Sequence, residues 1–272
     1  MTEFTPKLRR HYRHLRVGAD HADLFGQDIP THLLTDYECD DVNAGLSRIV
    51  QRKYTVRARN IRRAWNRIEL LLPELMSSTG PRKAILEMST AHGAVLEVLR
   101  HFGHEVVGND FANMLQDNEG AKSSVLRPVN FAGDQRARDD YGNLIEGEKT
   151  LWPYKNIIDS IGIPMRIFDA GQTPYPVGDK EFDVTICLQA IEHYCHPDDW
   201  MVIVEEFCRI TRNSIVILLN PPARAAQMAK DDYLASFNRA RNDLRQYNSN
   251  GFRCVHSSIW FGEALGFKLM AI

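Results

Sequence analysis

The chain has 272 residues, of which 44% are hydrophobic and 25% charged. A core of that size buries roughly 70–75% of the surface of the unfolded chain, which excludes a wholly disordered protein. The net charge is only −2, so no overall field attracts nucleic acid or anionic lipid, and such a partner would need a local patch. The longest apolar run, residues 214–219, is too short to span a membrane, and the charged residues 2–16 differ from a signal peptide.

The cysteines are scattered along the chain and form no Cys-x-x-Cys pair. Their odd number is typical of reduced thiols, so we expect a cytoplasmic protein. His193, Cys195 and His196 are the tightest cluster of possible metal ligands. Ligands so close in sequence, without a second pair elsewhere, fit a zinc site poorly, and we expect no bound metal.

Apolar residues recur every three or four positions over residues 43–72, which predicts an amphipathic helix that ends before Pro73. We therefore expect an N-terminal helical extension over residues 1–80. Residues 48–67 contain eight Arg and Lys residues and no acid. We interpret these basic side chains as a solvated face; contact with nucleic-acid phosphates is the alternative and is not favoured.

From residue 81 onward, short apolar segments alternate with helical ones. Strands are predicted at residues 84–88, 105–108, 165–168, 182–188 and 214–219, and helices at residues 93–102 and 197–211. Near-continuous apolar strands separated by helices indicate a parallel sheet covered on both faces. The predicted fold class is therefore α/β, with a doubly wound, mostly parallel sheet over residues 81–272.

Two further parts of this domain are less regular. Residues 113–164, approximately, form an insert that is too long for a simple crossover, and its aromatic residues favour an ordered segment, such as a substrate cap. Towards the C-terminus, the pattern predicts helices at residues 230–247 and 256–265 and a last strand at residues 267–272.

The first predicted strand leads into a loop of small residues, followed by a helix. The loop reads Glu-Met-Ser-Thr-Ala-His-Gly over residues 87–93, and small side chains let a ligand approach the backbone. Asp110 follows the second predicted strand, where a carboxylate can accept both hydroxyl protons of a ribose. Together these features favour a cofactor that carries a nucleoside.

Residues 82–220 resemble class I S-adenosylmethionine-dependent methyltransferases of the type 11 kind. In the loop over residues 87–93, Gly93 matches the third glycine of the family's first motif, whereas Ser89 and Ala91 replace the first two. Residues 173–184 are similar to the family's Leu-Pro-Phe-Pro-Asp-x-Ser-Phe-Asp-Val-Val segment, and residues 188–193 to its Leu-Glu-His segment. The resemblance implies a Rossmann-like fold and S-adenosyl-L-methionine as cofactor.

The resemblance also implies which residues bind the cofactor. Asp110 would bind the ribose, Asp169 the adenine amino group, and the backbone of Ala170 the adenine ring. As an alternative, Asp110 and Asp169 cap the helices that follow them, whereas Glu87 at a buried strand end has no such simple explanation. The full predicted set is Glu87, Ser89, Ala91, Gly93, Asp110, Phe111, Asp169, Ala170, Leu188 and Gln189.

Methyl transfer from a sulfonium requires mainly orientation of the acceptor and exclusion of water. A general base is needed only where the acceptor keeps its proton. Glu192 and His193 are the catalytic candidates, because an imidazole with a pKa of about 6.5 suits base catalysis at neutral pH. In the resembled family this pair commonly serves loop structure, which is the alternative.

We therefore expect an enzyme that methylates a small-molecule or sugar-like acceptor. The alternative is a non-catalytic, methyltransferase-like scaffold, motivated by Ser89 and Ala91, that binds a partner or RNA through its basic helix. A nicotinamide-dependent oxidoreductase is disfavoured, because its Gly-x-Gly-x-x-Gly fingerprint is missing. The sequence leaves open the acceptor, the methylated atom and the oligomeric state.

Overall fold

A computed structural model of the chain describes residues 29–39, 55–110, 154–221, 233–260 and 262–272. The helices in these ranges are α1 (Arg57–Leu71), α2 (Ala94–His101), α3 (Lys155–Ile161), α4 (Trp200–Ile210) and α5 (Tyr233–Arg245). The strands are β1 (Ala84–Met88), β2 (Glu105–Asp110), β3 (Met165–Ile167), β4 (Phe182–Leu188), β5 (Thr211–Leu218), β6 (Asn248–Ser249), β7 (Phe252–Trp260) and β8 (Glu263–Ala271). None of the helices in the described ranges is long and apolar enough to cross a membrane.

The eight strands form one sheet in the order β3-β2-β1-β4-β5-β8-β7-β6. The pairs β2–β3, β1–β4 and β4–β5 are parallel, and β8 runs antiparallel to both β5 and β7. From β1 the chain continues to β2 and β3 on one side of β1, and then to β4 and β5 on the other side of β1. Ligands of doubly wound sheets bind at the carboxyl ends of the strands beside such a change of direction. The predicted doubly wound, mostly parallel α/β fold is confirmed.

The chain divides into two compact units. The described part of the first unit comprises residues 29–39, 55–82, 90–106 and 154–164; that of the second comprises residues 83–89, 107–110, 165–221, 233–260 and 262–272. The second unit therefore holds nearly the whole sheet. The first holds α1, α2, α3 and the first two residues of β2.

Within the first unit, α1 is joined to α2 by an ion pair. The Arg57 guanidinium lies 2.5 Å from a carboxylate oxygen of Glu97, whose side chain is only 1% exposed. Arg57 also donates to the Thr35 hydroxyl at 2.8 Å, and the Asn60 amide donates to the Tyr37 hydroxyl at 3.2 Å. The segment over residues 29–39 is thereby attached to α1. The described basic residues of α1 are partly buried.

Within the second unit, the central strands are buried on both faces. Ile85 and Leu86 of β1 and Ile215 and Val216 of β5 are fully buried, as expected for parallel strands that helices cover on both sides. Trp200 at the start of α4 packs edge-on against Phe237 of α5, with ring centroids 5.5 Å apart. The ring contact joins α4 to α5 within the unit that carries the candidate site.

The predicted helix over residues 256–265 is wrong. Residues 256–260 lie in β7 and residues 263–265 in β8, and this antiparallel pair turns at Gly262, which has a φ of 82°. The predicted strand over residues 267–272 is the second half of β8. The β-branched residues Val255 and Ile259 suit an extended strand. Pairing with β8 provides hydrogen bonds for the backbone of a segment that the sequence pattern alone assigned to a helix.

The other predicted elements agree with the structure where it describes them, except that α1 begins at Arg57, so residues 55 and 56 of the predicted helix are not helical. The predicted helix over residues 230–247 corresponds to α5, and the strands predicted at residues 84–88 and 182–188 match β1 and β4 residue for residue. The first part of the predicted helix over residues 43–72, up to residue 54, lies outside the described residues. So does most of the insert, of which α3 is the described end.

Candidate functional site

The candidate site begins with three acids at the ends of neighbouring strands. Glu87 is the fourth residue of β1 and Asp110 the last residue of β2; they are 5% and 4% exposed. Asp169 follows β3 by two residues. The sheet therefore places these acids, predicted from their order in the sequence, on three adjacent strands or directly after them.

The Asp169 carboxylate closes its own turn. One oxygen accepts a hydrogen bond from the Gly171 backbone N–H at 2.7 Å, and the other accepts from the Gln172 side-chain amide at 3.1 Å. Burial raises the pKa of Asp169, and these two hydrogen bonds act in the opposite direction. This turn-closing role resembles the capping role that was the alternative for Asp169, and it still leaves lone pairs on both oxygens.

A second side chain, which the sequence did not single out, joins the same two strand ends. The buried Asn109 side chain donates to the carbonyl oxygens of Arg166 at 3.1 Å and Phe168 at 3.0 Å. It thus holds the end of β2 to the segment that leads to Asp169. An asparagine inside a strand gives no sequence signal for this role, because its partners lie more than fifty residues away.

The loop after β1 has the backbone of a glycine-rich loop. Ser89, Ala91 and Gly93 have φ angles of 53°, 51° and 76°. For a residue with a Cβ, the left-handed conformation costs about 1 to 2 kcal/mol. Ser89 belongs to the second unit, and Ala91 and Gly93 to the first. In the first unit, His92 accepts a hydrogen bond from the Ala94 backbone N–H at 3.3 Å through Nδ1, at the start of α2.

Tyr194 contacts the ends of several strands in the second unit. Its hydroxyl lies 2.7 Å from the Ser89 hydroxyl and accepts a long hydrogen bond of 3.9 Å from the Cys187 thiol. Burial raises the pKa values of Tyr194 and Cys187, so both groups are neutral at physiological pH. A Cβ on Gly171 would lie 2.6 Å from the Tyr194 carbonyl oxygen, so this close approach requires glycine.

The ends of β4 and β5 are joined by a pair of amide side chains. Gln189, with a φ of 57°, donates from its side chain to Asn220 Oδ1 at 2.8 Å. The Asn220 side chain donates back to the Gln189 carbonyl oxygen at 3.2 Å. The Asn220 backbone N–H donates to Glu192. Gln189, Glu192 and Asn220 therefore form one hydrogen-bonded group beyond the two strands.

Glu192 is buried, with 4% of its surface exposed, and burial raises its pKa to about 7. Its Oε2 atom is also buried and has no hydrogen-bond partner among the residues described. Burial, and after it the charge of Glu192, raises the pKa of Tyr233. His193 differs from its neighbour because it is exposed. Both catalytic candidates lie beyond β4, and their roles remain predictions.

Three predicted residues remain. Leu188 ends β4 and pairs with Leu218 of β5. Ala170 is buried, and its carbonyl oxygen accepts from the Tyr175 hydroxyl at 2.8 Å, which makes Tyr175 a core residue. Phe111 lies outside the described residues. Within the described ranges, no group of three His, Cys, Asp or Glu side chains could hold a metal ion.

No protein-family model matches the chain, and no curated protein matches its sequence. Among solved structures, the chain is similar to magnesium protoporphyrin IX methyltransferase from Synechocystis PCC 6803 with bound S-adenosylhomocysteine: the TM-score is 0.45, the identity 12%, and the match covers 85% of this chain and 91% of that chain. The chain is also similar to 1,6-didemethyltoxoflavin-N1-methyltransferase from Burkholderia thailandensis, with a TM-score of 0.37 and 15% identity; the match covers 78% of this chain and 76% of that chain. A third similar structure is an S-adenosylmethionine-dependent methyltransferase from Aquifex aeolicus, with a TM-score of 0.37 and 14% identity; the match covers 76% of this chain and 93% of that chain. At these identities the similarity concerns the fold and assigns neither a cofactor nor an acceptor to this chain.

Proposed function

We propose that the chain is an S-adenosylmethionine-dependent methyltransferase that acts on a small-molecule or sugar-like acceptor. The conformation of Ser89 carries this proposal. Although serine replaces a glycine of the resembled family, its φ of 53° is one that glycine adopts easily. A loop that had lost its function would have no need to keep this costly backbone, so the non-catalytic scaffold is the weaker candidate.

The donor set of S-adenosylmethionine fits the side chains at this edge of the sheet. The cofactor carries a sulfonium charge, an ammonium group, ribose hydroxyls and an adenine amino group, and it supplies an activated methyl group when bound. We assign Asp110 to the ribose of the cofactor, Asp169 to its adenine amino group, and Glu87 to the part of the cofactor that carries the sulfonium and ammonium charges.

The acceptor side would be formed beyond β4 and β5. A carboxyl group with a pKa of about 7 is partly ionised at neutral pH, so Glu192 can accept a proton there from a hydroxyl or amino group. Its buried Oε2 has the free lone pairs that such a donor needs. An anionic acceptor would be repelled by the same carboxylate, which favours a neutral or cationic small molecule over a nucleic acid.

Titration calorimetry of the cofactor-stripped protein tests the cofactor assignment. We expect binding of S-adenosylmethionine and S-adenosylhomocysteine, and none of nicotinamide dinucleotide. Asp110→Ala should abolish this binding while circular dichroism shows an intact fold; Asp243→Ala, at an exposed site on α5, is the matched control. A wild-type protein that binds neither compound would refute the proposed function, and an unchanged affinity in Asp110→Ala would remove the ribose assignment.

A cytoplasmic location is also part of the proposal. All five cysteines are free thiols, and Cys187, Cys195 and Cys208 are buried. Free thiols persist where glutathione and thioredoxin keep the compartment reducing. Fluorescent tagging of the full chain in its native cells would test this location.

A further inference from the structure

We infer that Tyr194 is a positioning residue for the cofactor loop: its hydroxyl holds Ser89 in the left-handed conformation that glycine would adopt unaided. The inference rests on the proposed function and extends it to a residue that no sequence motif marks. It explains how a loop that has serine in place of the first glycine of the resembled family adopts a left-handed backbone conformation at that position.

The hydroxyl contact joins the strained residue itself to its partner. Ser89 has a φ of 53°, and its Oγ lies 2.7 Å from the Tyr194 hydroxyl, a normal distance for a hydrogen bond between hydroxyls. An alanine at this position would carry the same steric penalty without a compensating bond. The serine side chain therefore supplies a stabilising contact that glycine lacks and that the left-handed serine requires.

The position of Tyr194 is itself determined by its surroundings. Its backbone N–H donates to the Ile191 carbonyl oxygen at 3.1 Å, in the 3₁₀ turn after β4. Its carbonyl oxygen lies against Gly171, where a side chain would clash, and its hydroxyl accepts from the Cys187 thiol. Because these contacts come from the ends of β3 and β4, Tyr194 offers Ser89 a fixed partner rather than a mobile one.

Tyr194→Phe keeps the ring and removes only the hydroxyl. We expect it to weaken S-adenosylmethionine binding roughly threefold to tenfold, which corresponds to the loss of one hydrogen bond. Ser89→Ala should weaken binding by a similar factor, and the double variant by no more than either single one, since both remove the same bond. Tyr247→Phe is the matched control, because its buried hydroxyl accepts from Asn250 at 3.1 Å, apart from the loop.

A glycine at position 89 separates positioning from a merely structural role. In a Ser89→Gly background, the loop adopts the left-handed conformation unaided, and Tyr194→Phe should then leave the affinity for S-adenosylmethionine unchanged. If Tyr194→Phe weakens binding equally in the serine and glycine backgrounds, the tyrosine acts through general packing and the inference is overturned. Equal binding by wild type and Tyr194→Phe would overturn it as well.

Hydrogen exchange of the cofactor-free protein distinguishes this inference from the proposed function. We expect faster amide exchange around Ser89 in Tyr194→Phe and no change in Tyr247→Phe. Faster exchange in a protein that binds no S-adenosylmethionine would support the hydroxyl contact and refute the proposed function. Unchanged exchange in a protein whose wild type binds the cofactor would refute the contact alone.

Discussion

Replacing Glu192 with glutamine should change how the stability of the protein depends on pH. Burial raises the pKa of Glu192 from its ordinary value of 4.5 to about 7 in the folded state. Between these two values the unfolded chain ionises while the folded protein keeps its proton. The folded state therefore binds more protons, and the free energy of unfolding falls as the pH rises through this window.

The difference between the two pKa values corresponds to a destabilisation of the folded protein by about 3 kcal/mol. This destabilisation is absent below the pKa of Glu192 in the unfolded chain and fully present above about pH 7. Glutamine does not ionise, and its side-chain oxygen can still accept from the Asn220 backbone N–H. Relative to wild type, Glu192→Gln should therefore be more stable at about pH 8 than at about pH 4.5, by up to about 3 kcal/mol.

Denaturant unfolding of wild type, Glu192→Gln and Glu205→Gln across this pH range measures the effect. Glu205 is exposed on α4, so the same chemical change there serves as the control for any general effect of charge. If the stability difference between Glu192→Gln and wild type does not vary with pH, or varies as it does for Glu205→Gln, the carboxyl is not held protonated by burial and the reasoning is wrong.

Two further substitutions test the strained loop and the ion pair of the first unit. Ala91→Gly should raise the free energy of unfolding by about 1 kcal/mol, because glycine removes the left-handed penalty at a φ of 51° and loses part of that gain to the greater entropy of the unfolded chain. Arg57→Ala should lower it by about 3 to 5 kcal/mol, because the carboxylate of Glu97 is left buried without its cation. Both changes are measured by denaturant unfolding.

Matched variants decide how these two results are interpreted. Ala94→Gly, in the first turn of α2, should destabilise the protein by about 1 kcal/mol, opposite in sign to Ala91→Gly. Equal destabilisation by both glycines would contradict the strain assigned to Ala91. Adding Glu97→Gln to Arg57→Ala should recover part of the lost stability, and no recovery would show that the arginine acts through packing alone.

Much of the sheet could be predicted because its central strands are buried on both faces. Residues 84–88 and 182–188 are short, nearly continuous apolar runs, and the structure gives strands with these bounds. The C-terminal pair β7–β8 was missed in part, because a strand near the edge of the sheet needs fewer apolar residues. Val255 and Ile259 are exposed in β7, so the sequence carries no clean alternation there.

The sequence by itself determined the α/β class and the acids at the strand ends, because both follow from patterns local to a few residues. Only the tertiary structure decided which neighbours those residues have. Ser89 and Tyr194 are 105 residues apart, and Glu192 meets Asn220 across 28 residues. The packing of these segments buries Glu192 and so raises its pKa, whereas the neighbouring His193 stays exposed. No local pattern encodes these contacts or this burial, because both arise only when distant segments pack together.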